Sequence, residues 1–104
     1  QGLRIVAAFD AAPERCNLIL AGTPVFPANS ITEKVMRLGV PLGILTVPAE
    51  RAQRVAEQMV AGGIRAIWNF TPAQLEVPEE VIVQREDLAV SLAVLLHRIQ
   101  ERAD

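Results

Sequence analysis

Apolar positions in this chain fall in short runs separated by polar, glycine-bearing or proline-bearing breaks. Residues 3–9 (LRIVAAF) form one run, closed by Asp10 with Pro13 soon after, the pattern of a buried strand. Pro24-Val25-Phe26 gives a short extended piece between Gly22 and Pro27. Ser30-Ile31-Thr32-Glu33 then has the capping-box pattern and predicts a helix running to Gly39. Residues 42–47 read as the next strand, and Pro48 has the fixed backbone angle suited to a first helical position. Within residues 49–61, Ala52, Val55, Ala56, Met59 and Val60 recur on one helix face, and Gly62-Gly63 supply the stop. Residues 64–70 read as a strand, residues 71–80 as a connection punctuated by Pro72 and Pro78, and residues 81–83 as another short strand.

The stretch 42–70 is therefore strand, helix, strand. A right-handed crossover places both strand ends on one edge of a parallel sheet, the edge where open α/β sheets bind ligands. Thr46-Val47-Pro48 and Asn69-Phe70 are expected to lie side by side there. Residues 88–103 differ from the rest, because apolar side chains occupy nearly every position around the helix until Ile99. A helix apolar all round needs cover on more than one side. Leu88, Leu92, Leu95 and Ile99 follow a 4-3-4 spacing that suits one seam against a partner, so homodimerisation through this helix is expected.

Composition agrees with an α/β fold. Of the 104 residues 51% are apolar and only 4% aromatic, so Ala, Val, Ile and Leu must build the core. A chain of this length buries roughly 65% of its unfolded surface and sustains one core. The net charge of -2 leaves no electrostatic footprint for gripping a phosphate backbone, so this chain alone is not expected to hold DNA or RNA. A single cysteine, Cys16, excludes an internal disulfide and a multi-thiolate metal site, and no signal peptide or membrane-spanning apolar run is visible; the cytoplasm is the default compartment.

Four segments taken in order carry a family resemblance: AAFD at 7–10, ILTVPAERAQ at 44–53, AGGIRAIWNFTPAQLEVPEEV at 61–81, and the turn Glu86-Asp87-Leu88. Together they resemble the redox-sensing transcriptional repressors of the Rex family. The resemblance implies a Rossmann domain that senses the NADH/NAD+ ratio, joined in that family to an N-terminal winged-helix DNA-binding domain, in a homodimer whose last helix is exchanged between subunits. It implies a fold class of α/β, a Rossmann-like mostly parallel sheet with flanking helices. Residues 1–86 would be part of the NAD(H)-binding domain, and residues 87–104 its dimerisation helix. Operator DNA would be a partner only through the winged-helix domain.

The pattern is incomplete in one respect. A Rossmann fingerprint needs a glycine-rich turn after the first strand, where backbone N–H groups meet the pyrophosphate. No subset of the six glycines has G-x-G-x-x-G spacing. In the resemblance residues 3–10 correspond to the second strand, so the first strand and its loop are missing and a gap in the middle of the sheet is expected. We expect a fragment of a longer protein, with weak or absent NADH binding by this stretch alone.

Each candidate residue has an ordinary reading beside the functional one. Asp10 ends the strand whose acidic residue in dinucleotide folds hydrogen-bonds the adenosine ribose; equally, Asp commonly stops a strand and starts a turn. Thr46, Val47 and Pro48 would contact the nicotinamide half of the cofactor by resemblance, or simply make a strand-to-helix turn. Asn69 offers a donor and an acceptor to a carboxamide or ribose and Phe70 a ring to pack on nicotinamide, against a turn residue and a core residue. By resemblance Asp87 is the acidic switch between the cofactor and DNA-binding domains, and it also suits a helix N-cap. Cys16 reads as a buried apolar residue, His97 as a surface or interface residue, and Arg51, Arg54, Glu57 and Gln58 as a solvated helix face. Ser91 has no accompanying base, and neither a catalytic nor a metal-ligating constellation is visible. A second reading, from another class, is a CoA- or nucleotide-binding enzyme subunit resembling succinyl-CoA ligase. A third is a cofactor-free piece that only dimerises.

Overall fold

The computed structural model describes residues 4–10, 19–20 and 22–103. Cys16 lies outside them, as do the side chains of Asp10 and Leu88. The elements in chain order are β1 (Ala8–Asp10), β2 (Ile19–Leu20), β3 (Thr23–Pro27), a 3-10 turn (Ala28–Ser30), α1 (Ile31–Leu38), β4 (Leu42–Leu45), α2 (Ala49–Ala61), β5 (Ala66–Asn69), β6 (Ile82–Arg85) and α3 (Leu88–Ala103). The strand and helix alternation read from the sequence holds, with differences at the ends.

β1 begins later than expected and includes Asp10. It pairs in parallel with β3, Ala8 opposite Val25 and Asp10 opposite Pro27. Further upstream, the Ile5 carbonyl accepts the Thr23 hydroxyl at 3.2 Å. β2, which the periodicity does not reveal, is a two-residue strand antiparallel to β3, with Gly22 at φ 83 in the reversal between them. The capping box at Ser30 does not form. The 3-10 turn leads directly into α1, and the Ser30 hydroxyl donates instead to the Pro27 carbonyl at 2.7 Å. Pro48 is the N-cap of α2 with extended ψ, not its first helical residue. Gly39 closes α1 in the left-handed region, as expected.

Two three-stranded sheets result, ordered β1-β3-β2 and β4-β5-β6. All pairs are parallel except β2 with β3. Among the described residues β1 pairs only with β3 and β4 only with β5, so the expected gap in mid-sheet is present. Both α1 and α2 cover one face. Leu45 and Ile67 point into that layer and are each 1% exposed, against Ala52, Val55, Ala56 and Met59 of α2 and Ile31 and Val35 of α1. Gly62 lets the helices cross closely, since a Cβ there would lie 2.8 Å from the Thr32 carbonyl oxygen and 2.9 Å from Val35 Cβ. Gln58, expected on the solvated face, is half-buried and faces α1. Its carbonyl accepts the Thr32 hydroxyl at 2.8 Å, and its amide donates to Ala28 O at 3.4 Å.

Among the described residues nothing packs over the opposite face of the second sheet. Leu42, Ile44 and Ile82 are exposed there, beside half-buried Trp68. α3 is likewise uncovered, with Val90, Leu92, Val94, Leu95, Leu96 and Ile99 all exposed. No helix among the described residues is long and apolar enough to cross a membrane.

Candidate cofactor edge

The crossover brings together the positions that the sequence pairs. Leu45 stands opposite Asn69, and Asn69 opposite Arg85. Beyond the strand ends, the Phe70 N–H donates to Leu45 O and the Glu86 N–H to Asn69 O, both at 2.9 Å. Thr46–Pro48, Phe70 and Glu86–Asp87 thus emerge from the carboxyl ends of three adjacent parallel strands, where such sheets place their ligands. Thr46 is exposed, and Val47 is half-buried on the core. Pro48 opens α2 without a side-chain cap, so the positive end of that helix faces this edge with only Glu50 in the first turn to offset it.

Asn69 does not face outward. It is 1% exposed and engaged with its own loop: Oδ1 accepts the Thr71 N–H at 2.9 Å and the Thr71 hydroxyl at 2.7 Å, while Nδ2 donates to Ala73 O at 2.9 Å. The donor and acceptor that the sequence reading aimed at a cofactor are therefore already used. Asn69 alternates with Trp68 along a strand, and its inward turn follows from Ile67 and Asn69 sharing the buried face. Phe70 is half-buried and packs on Trp68, ring centroids 4.7 Å apart at 46°. The Trp68 indole N–H is buried and has no hydrogen-bond partner among the described residues.

Asp87 caps α3: Oδ1 accepts the Val90 N–H at 3.2 Å, and its carbonyl accepts the Ser91 N–H at 3.0 Å. A carboxylate that caps α3 beside the ligand edge fits both readings of this residue. Asp10 is the last residue of β1, at the carboxyl end of the other sheet. His97 lies 3.5 Å from Glu101 on exposed α3, and no group of metal-ligating residues occurs among the described residues.

Sequence reasoning missed two residues that shape this edge. Arg85, at the end of β6, donates to Pro72 O at 3.0 Å, and Gln53 of α2 bonds the connection further along. Neither belongs to an apolar stripe or a turn signature, so neither carries a periodic signal.

An open, mostly parallel α/β sheet flanked by helices defines a Rossmann-like domain, here with its sheet interrupted among the described residues. The chain belongs to the CoA binding domain family, whose model matches residues 1–73. It is 47% identical over 98 residues to the redox-sensing transcriptional repressor Rex of Bacteroides fragilis (94% of this chain, 44% of the relative), and 42% identical over 98 residues to that of Limosilactobacillus reuteri (94% and 46%). Among solved structures it is similar to RSP, a Rex-family repressor, with TM-score 0.81 and 32% identity over 96% of this chain and 48% of that one. RSP in complex with β-NADH gives TM-score 0.80, and RSP with β-NAD+ and operator DNA 0.78 at 33% identity. The resemblance to the Rex family read from the sequence holds across nearly the whole chain. The chain spans about half the length of these relatives.

Proposed function

We infer that the chain is the cofactor-sensing part of an NADH/NAD+-responsive transcriptional repressor. The observation that carries this reading is the alignment of Thr46–Pro48, Phe70 and Asp87 at the carboxyl ends of β4, β5 and β6. The edge fits one half of a dinucleotide. The exposed Thr46 hydroxyl can meet a polar group, and Phe70 offers an apolar wall for a nicotinamide. Val47 and Pro48 shape the turn between them. Asp10 takes the adenosine ribose at the other sheet's edge. The sequence lacks a glycine-rich turn for the pyrophosphate, so a strand and loop seated in the gap between β1 and β4 complete the site in the native polypeptide.

Asn69 then acts by position, holding the loop that starts at Phe70. Asp87 couples cofactor binding to an attached winged helix, and the protein acts by binding, not catalysis, in the cytoplasm. Sensing requires NADH and NAD+ to differ in affinity between two states of the dimer, since equal affinity shifts nothing. The homodimer forms through α3, with Leu88, Leu92, Leu95 and Ile99 on its seam. The exposure of Leu92, Leu95 and Ile99 in a single chain supports an exchanged helix, and so do an outer sheet face and an indole N–H that find no partner among the described residues.

The family description favours one competitor, CoA. Calorimetric titration of NADH, NAD+ and CoA into the complete native polypeptide and into residues 1–104 separates the readings. NADH binds the former tightly and the latter weakly or not at all; tight CoA binding without NADH binding overturns the sensor reading.

A further inference from the structure

Residues 70–81 leave the cofactor edge at Phe70 and cross back beside α2 to begin β6 at the far edge, and this strap is tied down at three places. Asn69 holds its first turn, through Thr71 and Ala73. Arg85 holds Pro72. Gln53 holds Glu76 with a reciprocal pair: the Glu76 N–H donates to Oε1 at 2.8 Å, and Nε2 donates to the Glu76 carbonyl at 2.8 Å. The same Nε2 lies 3.0 Å from Glu57 Oε2, one turn along α2. These three partners fix the orientation of the amide, because the backbone N–H requires the oxygen and the two acceptors require the nitrogen. Along the strap, Ala73, Leu75 and Val77 pack on the core.

Gln53 lies about one turn into a helix that opens at the cofactor edge, so its clamp joins the Pro48 side of that edge to the Phe70 side. Bonds to a backbone N–H and C=O of one residue mimic a strand ladder and fix the strap against α2 at Glu76, where the ties from Asn69 and Arg85 do not reach. We propose that Gln53 is a positioning residue for the nicotinamide half of the cofactor site: by clamping Glu76 it fixes the strap, and through the strap the placement of Phe70 against Thr46 and Pro48. This rests on the sensor reading above. It makes Gln53 matter to the nicotinamide end and not to the adenosine end, where Asp10 of β1 is placed.

The test uses the complete native polypeptide and two ligands: NADH, which spans both ends, and ADP-ribose, which lacks the nicotinamide. Gln53→Ala removes both bonds to Glu76 and weakens NADH about tenfold while leaving ADP-ribose affinity unchanged. Gln53→Glu keeps the acceptor for the Glu76 N–H but faces its carbonyl and the Glu57 carboxylate with a charge, and weakens NADH at least as much. Equal losses for both ligands, or no loss for either, overturn the clamp while leaving the sensor reading standing. Wild-type protein that binds ADP-ribose but not NADH removes the sensor reading, and the clamp's role with it.

Discussion

Asn69 and Thr71 are locked to each other at a single oxygen: Asn69 Oδ1 receives both the backbone N–H and the hydroxyl of Thr71, at 2.9 and 2.7 Å. Both residues are buried, at 1% and 3% exposure, so neither donor can turn to water if the amide is removed. The Thr71 hydroxyl oxygen in turn accepts the Ala73 N–H at 3.1 Å, which makes the start of the strap one connected network. Truncating one member strands the others.

Asn69→Ala is therefore expected to cost about 3 kcal/mol, the order of stranding a buried backbone N–H and a hydroxyl together. Thr71→Val leaves the Thr71 N–H bond but strands the Ala73 N–H, and costs about 2 kcal/mol. The double variant costs less than the sum, because the hydroxyl that Asn69→Ala strands is then absent. Urea denaturation of the wild type, both single variants and the double variant gives the coupling; strict additivity would show that the two side chains do not act as a unit.

Much of this was legible in the sequence because it rests on period and punctuation. The apolar stripe of α2, the Gly39 and Gly63 stops and the boundaries of α3 all follow from local rules. So does the shared edge of Thr46–Pro48 and Phe70, since the handedness of one crossover suffices to place them. The Asn69 side chain was not legible. Whether a strand-end Asn faces a ligand or its own loop depends on which face is buried, and that is set by α2 packing on Ile67, not by neighbours in sequence. Gln53 was hidden for a related reason: its partner is a backbone group 23 residues away, with no side-chain signature. Ser30 misled because a capping box presumes an extended N-cap, while here a 3-10 turn precedes the helix.

Gly62 should tolerate no side chain. Its Cβ would press on both the Thr32 carbonyl and Val35, within 3 Å of each, so Gly62→Ala pushes α1 off α2 and costs about 2 kcal/mol despite the better helix propensity of Ala. Gly63→Ala meets open space but strains a backbone at φ 108, at about 1–2 kcal/mol. Thermal melts of the two variants check the order: a loss for Gly62→Ala no larger than that for Gly63→Ala would show that α1 gives way at little cost.

Leu92, Leu95 and Ile99 are 57%, 56% and 62% exposed, so making them polar costs the isolated fold little. Leu92→Glu with Leu95→Glu is expected to leave the circular dichroism of a folded α/β domain intact and, if the proposed α3 dimer forms, to give a monomer in sedimentation where the wild type gives a dimer. Loss of secondary structure instead would mean that α3 is needed for folding of each subunit. An unchanged dimer would move the interface elsewhere.

Trp68 is the only tryptophan of the chain and stacks on Phe70, which places a natural fluorophore one ring away from the proposed nicotinamide position. The reduced nicotinamide absorbs where tryptophan emits, and the oxidised one does not. NADH bound at this edge should therefore quench Trp68 emission and give sensitised nicotinamide emission, while NAD+ changes Trp68 only through contact. Phe70→Leu should weaken NADH binding about tenfold by removing an aromatic wall. Energy transfer at saturating NADH should nevertheless persist in that variant, because Trp68 itself stays in place on β5. Titration of the complete polypeptide by fluorescence reads both effects at once: quenching without sensitised emission would place the nicotinamide away from this edge, and tight binding by Phe70→Leu would remove Phe70 from the site.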